Sequence, residues 1–295
     1  MTPPSFSDFF QGTALHFLEK AVAFALEEDG QELTSELVFT HHERMAALLV
    51  AKQHTLLCGL PIAQLVFAAA ARPGDVWHFE PLVEEGSQLA PGQVVARMEG
   101  PAPLVLRAER TILNFIMRLS GVANTTRLYA NELEGTGVTL LDTRKTTPCL
   151  RYPEKYAVLV GGGANHRKNL EEMLMLKDNH IDAAGSITKA VHLLRASHTA
   201  LPPLEIECRT PEEVAEAVAM QPERIMLDNM PLDMLQKSLA LVPGFIEVEV
   251  SGGVTLETIR EKALAAGARK PDFISVGRLT HTAAAADFSI IINRA

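Results

Sequence analysis

Arg144 and Lys145 follow the apolar run VTLLD, Lys177 closes MLMLK, and His166 and Arg167 follow Gly161-Gly162-Gly163-Ala164-Asn165. Cations of these types gather oxyanions: arginine offers a planar fork that fits carboxylate or phosphate, and lysine a mobile point charge. Glu207 in LEIEC and Asp228 at the end of IMLD bring two carboxylates to corresponding places. Such a pair can hold a metal through water, grip ribose hydroxyls or stabilise a developing cation. Ser251-Gly252-Gly253 and Ser275-Val276-Gly277 follow two further apolar runs. Backbone N–H groups in that position, next to a helix start, are where barrel enzymes hold a phosphate.

These groups meet only if the runs before them lie side by side. Short apolar runs at 138–142, 173–177, 204–208, 225–228, 246–250 and 273–277 alternate with helical stretches such as 186–196, 211–220, 231–241 and 255–267. That rhythm predicts a parallel sheet covered by helices, with every strand delivering its polar or Gly-rich end to one mouth. Glu205 and Glu207 share a strand face by the period of two, as do Glu247 and Glu249. A doubly wound sheet buries both faces under apolar helices, so these carboxylates favour a closed or partly closed barrel with a polar mouth. The number of strand–helix units falls short of a full barrel.

Upstream, 13–28 has helical spacing, and 72–106 reads as short strands and turns. Its EEGSQLAPGQVVARMEG is similar to half of a biotinyl or lipoyl carrier domain, but no lysine occupies the turn where the cofactor attaches, so the stretch reads as scaffold. Residues 107–133 predict a long helix or helix pair, with Leu113, Ile116 and Met117 on one stripe and Gly121 as a break.

The 295 residues suffice for one large barrel or two ordinary domains, and 47% hydrophobic with 21% charged residues suits a globular enzyme. A net charge of -9 speaks against a general nucleic-acid surface, so any anionic ligand must be caught by a local cationic cluster. No apolar run approaches the ~20 residues of a membrane span. MTPPSFSDFF lacks the features of a secretory signal, which places the chain in the cytoplasm. Cys58, Cys149 and Cys208 are too widely spaced for a paired-thiol metal site, and their odd number speaks against a disulfide framework. His41-His42 has no third ligand at suitable spacing and reads as a solvated turn.

With these residues in view, the chain resembles the quinolinate phosphoribosyltransferase family. The resemblance is carried by ERTILNFIMRLSGVA (109–123), LLDTRKTTPCLRYPEKYAVLVGGGANHR (140–167), MLKDNHI (175–181), IMLDNM (225–230), EVSGGVTLETI (249–259) and DFISVGRLTHTAAAADFS (272–289). It implies an N-terminal α/β sandwich domain (1–117, joined by the tail 283–295) and an incomplete, about six-stranded α/β barrel (118–282). It also implies transfer of phosphoribosyl from phosphoribosyl pyrophosphate to quinolinate with Mg2+, giving nicotinate mononucleotide, pyrophosphate and CO2 for NAD synthesis.

By the same resemblance, Arg144, His166 and Arg167 hold the quinolinate carboxylates, with Arg110 reaching over from the partner subunit of a homodimer or higher oligomer. Lys145 and Lys177 face carboxylate or pyrophosphate oxygens, and Glu207 and Asp228 sit beside the ribose and its metal. Ser251, Gly252, Gly253, Ser275 and Gly277 surround the 5′-phosphate. Two positions depart from the family pattern: Cys149 stands where glycine is usual, and Arg278 where many members have a small residue; the strand end beside Arg278 points that side chain outward. Two other readings share the scaffold, a phosphoribosyltransferase-like sister enzyme of molybdenum-transport type and a non-catalytic sensor of phosphoribosyl ligands. The sister enzyme tends to lack the full set TRKT, NHR and KDNH, and a sensor has no need of every carboxylate.

Overall fold

The computed structural model describes residues 5–40, 43–197, 200–265 and 269–294, so the His41-His42 pair lies outside the described residues. In chain order the strands are β1 (Arg44–Ala51), β2 (Thr55–Leu56), β3 (His78–Pro81), β4 (Gln88–Leu89), β5 (Val94–Pro101), β6 (Thr139–Leu141), β7 (Leu174–Leu176), β8 (Leu204–Cys208), β9 (Arg224–Asp228), β10 (Glu247–Ser251), β11 (Phe273–Ser275) and β12 (Phe288–Arg294). The chain forms two compact units, one of residues 1–127, 146–162 and 279–295, the other of 128–145 and 163–278. Among the described residues no helix is long and apolar enough to cross a membrane.

The first unit holds a four-stranded antiparallel sheet in the order β12-β1-β5-β3. In β1, Met45, Ala47 and Leu49 are buried and alternate with the less buried Arg44, Ala46 and Leu48, the pattern of a sheet with one face on a core, before the strand's last residues are buried throughout. The carrier-like stretch supplies β4 and β5, and β12 pairs with β1 from Met45↔Arg294 to Ala51↔Phe288. The helix Ala102–Glu132 buries Leu113, Ile116 and Leu119 and runs straight through Gly121, so the long-helix alternative holds over the helix pair. A Cβ on Gly121 would lie 2.0 Å from the carbonyl oxygen of Ala284. That glycine permits a close backbone approach and leaves the helix intact.

The second unit holds a six-stranded sheet in the order β6-β11-β10-β9-β8-β7, every pairing parallel. This is the sequence order of a barrel wound once and left open between β6 and β7, which makes the partly closed alternative the correct one. Residue 164 lies on the open edge of β6: its N–H donates to Leu140 O at 2.8 Å, and Asp142 N–H donates to its carbonyl at 3.1 Å. Helices follow the strands where the alternation put them, at Ile187–Ser197, Pro211–Ala219, Leu232–Leu241 and Ile259–Leu264. The start of Pro211–Ala219 shows why: Thr210 Oγ1 accepts the Glu213 N–H, Pro211 takes the first turn, and Glu212 and Glu213 complement the helix dipole.

Candidate active site

At the C-terminal end of the second unit's sheet, a cavity of about 340 Å³ is lined by Arg144, Lys145, His166, Arg167, Lys177, Glu207, Asp228, Ser251 and Ser275, all expected from sequence. Thr143, Met175, Met226 and Glu249 line it too and were not assigned to it. Gly252, Gly253 and Gly277 are not among the lining residues, and Arg110 is an exposed residue of the first unit. Arg278 is exposed, as the sequence suggested.

Buried Asp142 organises one side of this cavity. Its carboxylate accepts the His166 N–H at 2.8 Å and the Asn165 side-chain amide at 2.8 Å, tying the end of β6 to the Asn-His-Arg segment. Lys145 is placed by its own N–H, which donates to Thr143 Oγ1 at 3.0 Å. The Arg167 guanidinium donates to Met173 O at 2.8 Å and lies 3.7 Å from Met175 Sδ. Lys177 Nζ stands 3.8 Å from Glu207 Oε2.

Like charges are crowded twice in the cavity lining. Burial and the neighbouring Arg144 charge lower the pKa of Arg167, with Glu205 opposing them. Burial and the neighbouring Asp228 charge raise Glu207, with Lys177 opposing. Paired cations and paired carboxylates in one cavity form an electrostatic arrangement that a ligand of mixed charge completes. The Glu207 and Asp228 donors are all hard oxygens, and a divalent cation such as Mg2+ would relieve their repulsion, so the pair fits that metal.

At the cavity wall, His166 Nε2 lies 3.0 Å from Glu205 Oε2 and 3.3 Å from Glu249 Oε2, all three residues being buried. Burial disfavours a charge on His166, and the two glutamates oppose that and raise its pKa. Burial and the Glu249 charge push Glu205 up to about 7. The Arg167 N–H donates to His166 Nδ1 at 2.7 Å, and a nitrogen that accepts carries no proton. The geometry therefore places a ring proton on Nε2, facing the two glutamates. These ligand atoms lie within 4.8 Å of one another, as in a metal site, but Arg224 Nη1 at 3.3 Å from Glu249 already supplies a positive charge.

Glu205, Glu207 and Glu249 face the interior as the period of two required. Glu247 shares the face of Glu249 but lies at the strand's first residue, exposed and paired with Arg224 at 2.9 Å. At the far end of the strands, Gly252 has φ +80° and a Cβ there would meet Asn229 N at 2.6 Å. The loops after β9 and β10 touch backbone to backbone, with Asn229 N–H donating to Ser251 O at 2.9 Å.

Comparison with known proteins matches the chain in two parts. Residues 32–120 match the family model described as the quinolinate phosphoribosyl transferase N-terminal domain, and 122–291 match its C-terminal domain. A protein of Bacillus subtilis named probable nicotinate-nucleotide pyrophosphorylase [carboxylating] is 38% identical over 269 residues, 90% of each chain. One of the same name from Synechocystis is 42% identical over 219 residues, 73% of each. The crystal structure of NadC from Streptococcus pyogenes superposes with a TM-score of 0.86 at 35% identity, covering 97% of this chain and 99% of that one.

Proposed function

The chain belongs to the quinolinate phosphoribosyltransferase family, and on that premise we propose how its cavity divides the work. The reaction joins phosphoribosyl pyrophosphate to quinolinate with loss of CO2, giving nicotinate mononucleotide and pyrophosphate for NAD biosynthesis. The observation that carries the assignment of roles is the opposition of crowded cations and crowded carboxylates in one cavity. A planar dicarboxylate suits the Arg144 and Arg167 forks, with His166 beside them and the partner subunit's Arg110 completing the set in a homodimer. Lys145 and Lys177 face pyrophosphate or carboxylate oxygens, and Ser251, Gly252, Gly253, Ser275 and Gly277 surround the 5′-phosphate.

The pyridine nitrogen forms the bond to C1′ as the bond from C1′ to pyrophosphate breaks. Positive charge building on the ribose is stabilised by Glu207 and Asp228, which stand at adjacent strand ends. Mg2+ held by the same two carboxylates would neutralise pyrophosphate oxygens. The alkylated nitrogen is cationic, so when the adjacent carboxylate leaves as CO2 the electron pair stays on the ring carbon, which then takes up a proton. The guanidiniums keep the ring in register through both events. The cytoplasm suits a chain whose Cys58, Cys149 and Cys208 are all free thiols.

The test is formation of nicotinate mononucleotide from quinolinate, phosphoribosyl pyrophosphate and Mg2+, with nicotinate as competing base. Product from quinolinate alone is expected. Product from nicotinate, or from neither base, would overturn the reading.

A further inference from the structure

The mechanism above leaves two buried carboxylates without a part in it. Glu205 on β8 and Glu249 on β10 are fully buried, and both reach the same ring nitrogen, His166 Nε2, at 3.0 and 3.3 Å. Burying carboxylates is costly unless they are matched, and here the match is a histidine on the first and Arg224 with the histidine on the second. The other ring nitrogen accepts the Arg167 N–H at 2.7 Å. The Arg167 guanidinium is held in turn by Met173 O at 2.8 Å. A continuous path of contacts therefore runs from the two glutamates, through one imidazole, to the main chain of an anion-binding arginine.

We propose that Glu205 and Glu249 are positioning residues for the dicarboxylate end of the cavity: gripping Nε2 from two strands, they fix the plane and tautomer of His166, which in turn fixes Arg167. This rests on the reading of the cavity given above. His166 lines the cavity itself and also holds the Arg167 main chain. Such outer contacts commonly determine whether a binding group sits where it is needed, because they lock its rotamer. Glu207, only two residues from Glu205, has a different task, since it faces the cavity and Lys177.

Glu205→Gln and Glu249→Gln keep side-chain volume while removing a carboxylate oxygen. Long-range 15N–1H spectra of the histidine-labelled full-length protein, with His166→Gln to assign the ring, report the tautomer directly. Wild type is expected to show a protonated Nε2 and a bare Nδ1, and either variant a mixture of tautomers. The variants should raise KM for quinolinate roughly tenfold, with phosphoribosyl pyrophosphate affinity changed by less than about twofold. An unchanged ring signature, or equal losses for both ligands, overturns the proposal. Should Glu249→Gln fail to fold because its buried ion pair with Arg224 is lost, Glu205→Gln decides alone. The ring is read without substrate, so if wild type did not use quinolinate the functional reading would fall while the spectra still judged this one.

Discussion

Each unit sets a carboxylate among polar partners, half-buried in the first and buried in the second, and the two solutions differ. In the first unit Glu85 accepts the N–H groups of Gly59 and Leu60 at 2.7 and 2.9 Å, at the start of the helix Leu60–Ala70. The Cys58 thiol and Tyr156 hydroxyl complete its surroundings, and burial raises its pKa above the ordinary carboxylate range. In the second unit Glu205 and Glu249 are set against a histidine and an arginine. The Glu85 cluster closes on itself with neutral donors and a helix N-terminus, which is enough to join a loop to a helix. The barrel cluster ends on a residue that lines a cavity, so its order is passed on to a binding surface.

Four substitutions can break or sharpen this contrast. The largest effect on stability belongs to Gly121→Ala, where a methyl group would meet the Ala284 carbonyl. A loss of at least about 4 kcal/mol is expected in urea denaturation, since backbone must move to admit it. Arg144→Ala should leave the melting temperature nearly unchanged while lowering kcat/KM for quinolinate by ~100-fold or more, about 3 kcal/mol of transition-state binding. Glu85→Ala strands two N–H groups at a helix start and should cost roughly 2 kcal/mol of stability with both KM values unaltered. A rise in KM for quinolinate in that variant would erase the distinction between the clusters.

The smallest effect is a gain. Cys149 has φ +65°, in the left-handed region, where a side chain costs about 1–2 kcal/mol relative to glycine. Part of that is offset by the greater unfolded-state freedom of glycine, so Cys149→Gly should stabilise by about 0.5–1 kcal/mol in the same denaturation assay. A loss of stability would mean that the thiol makes a compensating contact.

The sequence marked Cys149 as a departure from a usual glycine, and the observed φ supplies the physical reason for the family's preference. The barrel was legible because each of its strands is a short apolar run with a polar end, and the runs at 204–208 and 225–228 agree with β8 and β9 to within a residue. Convergence of Arg144, His166, Lys177, Glu207 and Asp228 followed from the parallel arrangement alone. What escaped depends on partners far along the chain. Gly121 looks like a helix break until Ala284 is seen against it, and the helix start at Gly59-Leu60 is secured by the distant Glu85, which accepts its N–H groups. Period two places Glu247 and Glu249 on one face but says nothing of depth, which leaves the first exposed and the second buried. Met175 and Met226 carried no signal beyond apolar strand residues, though both line the cavity.

The central claim is that one cavity has two chemically distinct ends, and the most direct measurement compares Arg144→Ala with Asp228→Asn by titrating each substrate separately. The account predicts that Arg144→Ala weakens quinolinate binding at least about tenfold while sparing phosphoribosyl pyrophosphate, and that Asp228→Asn does the reverse in the presence of Mg2+. Equal weakening of both substrates by either variant would contradict it.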